Sequence, residues 1–164
     1  YVVYQEGIYN GYRYTETRYE DVVLGAANVG DYDYSKVVAY PFGYGLSYTE
    51  FEYSNLKIEK KSELDYKVTV DVKNIGKVKG DEVVQLYVND KVSSIITPLK
   101  ELKGFERITL DANEVKTVEF TLGFDSFKLL NKNFEWVVEN GEFEILVGAS
   151  SNDIRLKETI NIER

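Results

Sequence analysis

Two of the side-chain types that most often do chemistry are missing from this chain: its 164 residues include no histidine and no cysteine. Without imidazole or thiolate there is no His-based triad, no cysteine nucleophile, no disulfide and no ordinary zinc site. What remains is carboxylate chemistry, from 28 acidic residues against 20 basic ones and a net charge of −8. Carboxylates do general acid/base or nucleophilic work when two of them flank one bond, one ionised and one protonated. Here they are scattered through polar stretches and read as a solvated face. Asn28, Asp31 and Asp33 gather oxygens within residues 24–33. They lack the Asp-x-Asp-x-Asp-Gly spacing and distal glutamate that would surround calcium, so a solvated loop is expected. No residue is assigned a catalytic, cofactor-binding or metal-ligating role, and no cofactor is implied.

The aromatics offer a second kind of chemistry, stacking. Eleven of the 14 tyrosines lie at or before Tyr48. The strip Tyr40-Pro-Phe-Gly-Tyr-Gly-Leu-Ser-Tyr-Thr-Glu-Phe51 carries five aromatic residues around Pro41, Gly43 and Gly45, residues suited to turns. So many aromatics argue for a connector packed against something, with a sugar-stacking strip as the alternative. Trp136, the single tryptophan, reads as core or inter-sheet packing, with a ligand platform as its alternative.

These residues must be positioned by strands. Tyr66, Val68, Val70 and Val72 alternate with Lys67, Thr69, Asp71 and Lys73, as in a half-buried strand. Val84, Leu86 and Val88 share one face, and Val83 and Tyr87 make the other partly apolar, the mark of a central strand. Val118, Phe120 and Leu122 define another strand, and Ile154, Leu156, Ile160 and Ile162 close the chain with alternation. Asn140-Gly141 reads as a hairpin turn between Phe134–Val138 and Phe143–Val147. With Phe51–Ile58 and Leu102–Ile108, seven or more strands fall at sandwich-like spacing. The expected core is Tyr66, Val68, Val84, Leu86, Phe120, Trp136, Phe143, Ile145, Ile154 and Leu156. In the leading segment, Ile8–Tyr14 is read as a strand with a bulge at Gly11, and Glu16–Asp21 as an outward-facing charged turn. No helix of convincing length is expected. The fold class is an all-β sandwich.

Length allows one domain, or one plus a fragment of another. The negative charge makes nucleic acid a poor partner, and no apolar run approaches a membrane span. The chain opens in Tyr-Val-Val-Tyr without methionine and so reads as a piece of something longer. Neither compartment nor localisation is indicated.

Five strips, taken in order, carry a resemblance. They are Glu6–Tyr14, Tyr40–Tyr48, Gly80-Asp-Glu-Val-Val-Gln-Leu-Tyr-Val88, Pro98-Leu-Lys-Glu-Leu-Lys-Gly-Phe-Glu-Arg107 and Gly141–Leu156. Together they resemble the family 3 glycoside hydrolases, the β-glucosidase family, at the end of their α/β sandwich domain and the fibronectin type III-like domain that follows. The resemblance implies an immunoglobulin/fibronectin type III-like sandwich over residues 49–164, preceded by a short tyrosine-rich extension. Residues 1–48 would be the tail of the α/β domain and a connector. It also implies an accessory domain of a retaining β-glycosidase, not catalytic alone. The family's Ser-Asp-Trp-like nucleophile strip has no match here. Glu6 matches a strip downstream of the usual acid/base position, and Asp125 and Asp153 match sandwich strips. Asp111-Ala-Asn-Glu114 replaces the family's common Pro-Gly-Glu turn. Residues 20–39 resemble an insertion of a longer subgroup in which the barrel's place varies. The partners implied are the parent's other domains. An oligosaccharide bound by exposed aromatics is the alternative function, and self-association through residues 1–48 is a further expectation.

Overall fold

The computed structural model describes residues 7–27 and 30–164; Glu6 and Asn28 lie outside them. Among the described residues, seven strands form two antiparallel sheets. One contains β1 (Phe51–Lys60), β2 (Tyr66–Asn74) and β5 (Val115–Leu122) in the order β1-β2-β5. The other contains β3 (Gly80–Asp90), β4 (Glu101–Leu110), β8 (Gly141–Ser150) and β9 (Asp153–Ile162) in the order β4-β3-β8-β9. Between β5 and β8 lie a short helix α3 (Phe124–Phe127) and a two-residue ladder of β6 (Leu129–Leu130) with β7 (Trp136–Val137).

Alternation in β2 produces the inner face of the first sheet. Tyr66, Val68, Val70 and Val72 are all buried, and Val68 and Val70 sit opposite Phe120 and Val118. Val84, Leu86 and Val88 meet them from β3, with Phe143, Ile145 and Val147 from β8. Burying a side chain of this size is worth about 1.5–3 kcal/mol, which makes this core the main stabilising term. Asn74 is fully buried at the end of β2 and fully used. Its amide donates to the Val78 and Leu110 carbonyls, and its oxygen accepts from Thr49 Oγ1 and the Gly76 N–H. In the Asp111–Glu114 turn, Asn113 takes φ 65°, and the turn closes through Glu114 N–H to the Asp111 carbonyl at 3.0 Å. Asparagine tolerates that left-handed conformation better than most residues, so it can do there what glycine would.

Expectations for the leading segment, including that no helix of convincing length forms, for the region around Trp136 and for part of the core are corrected. Ile8–Tyr14 is not a strand: a helix, α1 (Tyr12–Val23), begins at Tyr12 with Gly11 as its N-cap at φ 56°. Glu16 does not face outward but is 2 % exposed. Tyr12, Arg13, Glu16 and Thr17 make the inward face at helical spacing, yet three of the four are polar or charged, so no apolar stripe announced the helix. Phe134–Val138 does not form a hairpin with β8, because Trp136 and Leu130 pair in the small ladder instead. Trp136 leaves the core for the surface, 57 % exposed with the Lys128 ammonium 4.7 Å from its ring centre. Of the expected core set, Tyr66, Val68, Val84, Leu86, Phe120, Phe143 and Ile145 are buried, while Leu156 packs on the core half-buried. Ile154 is half-buried as well.

Candidate functional site

The outer face of the four-stranded sheet is where side-chain types and position disagree most. Gln85, Tyr87 and Asn89 point away from the core yet are buried, and the leading segment lies over Gln85 and Tyr87. The Gln85 amide nitrogen donates to the Gly43 carbonyl (2.9 Å) and the Ala149 carbonyl (2.7 Å), and its oxygen accepts from the Tyr87 hydroxyl at 2.6 Å. Gly43 sits at φ 77°, in a turn closed by Tyr44 N–H to the Pro41 carbonyl at 3.1 Å. A Cβ there would collide with the Gln85 amide, so glycine meets both the backbone and the spatial demand. Tyr12 stacks on Phe42 at 4.2 Å and meets Tyr87 edge-on at 6.3 Å. Burial pushes the Tyr87 hydroxyl well above the ordinary tyrosine range, so it stays a neutral donor.

One carboxylate gathers this segment. Glu16 Oε1 accepts from Tyr34 OH (2.6 Å) and Ser151 Oγ (2.9 Å), and Oε2 lies 3.3 Å from Lys100 Nζ. Lys100 also donates to the Ser151 carbonyl, and the Ser151 N–H to the Phe42 carbonyl. Helix α1, the short helix α2 (Tyr34–Val37), the approach to β4 and the β8–β9 turn thus converge on a single charge. Burial and the bond to Glu16 push the Tyr34 hydroxyl upward. A buried carboxylate is tolerated only when paired and hydrogen-bonded, and this one has both. Thr17 Oγ1, accepting from the Leu99 N–H, and Arg13, pairing with Glu101 at 2.9 Å, extend the clasp along β4.

Next to the clasp the aromatic strip divides. Phe42 is held by Tyr12, whereas Tyr40, Leu46 and Tyr48 are 72 %, 89 % and 100 % exposed. The strip borders an open cleft of about 780 Å³, walled by Phe42, Tyr44 and Leu46 on one side and by Val83 and Phe105 on the other. Glu82 lines the same cleft, and burial pushes its carboxyl above the usual range. Asp81, Gln85, Asp153 and Arg155 line it too, so apolar walls and polar groups share the cleft.

The remaining residues singled out in the sequence have local roles. Asp33 caps α2, accepting from Ser35 N–H and Oγ, and those bonds with the Lys36 pair hold its carboxyl below the ordinary value. Asp125 pairs with Lys128 and Asp153 with Arg155. Among the described residues, no group of three or more Asp or Glu is placed to hold a metal ion. The clasp was missed in the sequence because Glu16 looks like any surface charge. The one signal was a polar Gln85 and Tyr87 on the second face of a central strand.

A three-on-four antiparallel sandwich of this connectivity defines a fibronectin type III-like domain, and residues 82–151 match that domain family. Over 98 % of its length the chain is 46 % identical to thermostable β-glucosidase B of Acetivibrio thermocellus, covering 20 % of that protein. A β-xylosidase of Formosa agariphila is 51 % identical over 78 % of the chain, which covers 18 % of it. Among solved structures, β-glucosidase 3B of Thermotoga neapolitana superposes with a TM-score of 0.84 at 37 % identity, over 99 % of this chain and 20 % of that one. The chain belongs to the family 3 glycoside hydrolases, as the part that carries their fibronectin type III-like domain. It spans about a fifth of the length of the curated relatives it matches.

Proposed function

We propose that this domain braces a β-glucosidase-like enzyme that hydrolyses β-glycosidic bonds with retention, and that it does not catalyse by itself. The observation that carries this reading is the uncovered aromatic strip from Tyr40 to Tyr48 beside its cleft. The relatives have about four-fifths of their length elsewhere, and the strip is the surface on which such further domains would seat. Residues 49–164 are the folding unit, and residues 1–48 are a connector strapped to it through Glu16, Gln85 and Tyr12. In the isolated chain, self-association would run through the same uncovered strip. A second reading, oligosaccharide binding through exposed aromatics, is favoured by the surface position of Trp136.

The isolated chain should leave nitrophenyl β-glucoside unhydrolysed. Steady turnover that a carboxylate substitution in the chain abolishes would overturn the accessory role. Deleting residues 1–48 should leave a cooperatively unfolding protein with a lowered midpoint, and an unfolded product would show that the sandwich is not the unit.

A further inference from the structure

A second groove, of about 510 Å³, lies between α3, the β6–β7 hairpin and the loop that precedes β4. Its floor is apolar, and Trp136 stands at its edge. Lys128 covers one face of the indole, and more than half of the residue remains exposed, which leaves the opposite face open. The hairpin that presents it is held rigidly. Asn131 accepts from the Phe134 N–H at 3.0 Å through its carbonyl, and from the Asn133 and Glu135 N–H groups through its side chain. Those bonds keep Phe134 at φ 61°, an uncommon conformation for a bulky residue, with its ring in solvent.

Charge decides what such a groove can take. Three cations line it (Arg13, Lys103 and Lys128) and three carboxylates (Asp90, Glu101 and Asp125). The six cancel on a chain whose net charge is −8, so neither a polyanion nor a polycation is favoured. Arg13 and Lys103 pair with Glu101, and Lys128 pairs with Asp125. The Asp90 carboxylate accepts from the Val92 N–H, and its remaining lone pairs can accept hydroxyls. An open aromatic face beside fixed acceptors and donors matches a neutral, hydroxyl-rich ring that stacks its C–H face and bonds at its edge.

From this juxtaposition we propose that the groove between Trp136 and Asp90 is a binding site for a neutral oligosaccharide. It is a separate surface from the Tyr40–Tyr48 strip and deepens the second reading above. Because Trp136 is the only tryptophan, its selectively excited fluorescence reports on the site directly. Titrating the 164-residue chain with cello- and xylo-oligosaccharides should change that emission saturably and shield it from acrylamide. Asp90→Ala should weaken binding about tenfold, the equivalent of one charge-assisted hydrogen bond. Trp136→Ala should remove the calorimetric heat of binding, and Leu46→Asp with Tyr48→Asp should leave it unchanged. An unresponsive tryptophan, an equal response to sucrose, or unchanged binding by Trp136→Ala would each overturn the site. None of these results bears on whether the Tyr40–Tyr48 strip docks a further domain.

Discussion

Leu86 and Trp136 are both large and both lie in strands, yet the fold uses them in opposite ways. Leu86 is fully buried between the two sheets, so Leu86→Ala should lower the unfolding free energy by about 2–5 kcal/mol in urea titrations. Trp136 is more than half exposed, with Lys128 against its ring, and Trp136→Ala should cost no more than about 1 kcal/mol. A loss as large as that of Leu86→Ala would return the tryptophan to the core. Glu82 supplies a pH test at the same scale. Burial raises its carboxyl pKa in the folded protein, so folding favours its protonated form. The stability this brings is fully present below the unfolded value of about 4.3 and is lost as pH rises through the higher folded one. Glu82→Gln should therefore raise the thermal midpoint at neutral pH, and the gain should vanish below about pH 4. A gain that persists in acid would mean that the carboxylate is not the cause.

At the scale of elements, the strands were legible and the helix was not, for one physical reason. Tyr66 to Val72 face the core with every second residue, and that core is apolar, so period-two alternation survives in the sequence. Helix α1 faces the sheet with Tyr12, Arg13, Glu16 and Thr17, and it docks through hydrogen bonds and two ion pairs that leave no apolar period. The β6–β7 hairpin was misread because Asn140-Gly141 has turn chemistry, although the chain there enters β8 rather than reversing from β7. Of the candidate site, the aromatic strip was visible from composition, whereas its exposure depends on which neighbours cover it. The clasp can be probed at its centre. Glu16→Ala leaves the Lys100 ammonium without its carboxylate, a change of about 3–5 kcal/mol when a buried pair is broken. Amide exchange in α1 should accelerate accordingly while that of β3 stays slow. Equal acceleration in both would show that strap and sandwich open as one unit.

At the scale of the whole molecule, the domain presents surfaces that its own fold does not cover. The core is complete without Tyr40, Leu46 or Tyr48: Tyr40 meets Tyr44 at 5.2 Å between ring centres, and all three stay largely exposed. A bracing role gives that area a partner in the rest of the enzyme, where its burial would be worth about 25 cal/mol per Å². The direct measurement is thermal unfolding of Leu46→Asp with Tyr48→Asp, made both in the isolated chain and in the intact parent enzyme. The expected result is an unchanged midpoint for the chain at concentrations that keep it monomeric, since both residues are solvent-exposed, and a midpoint lowered by several degrees for the parent. An unchanged parent, or an equal fall in both, would contradict the bracing role.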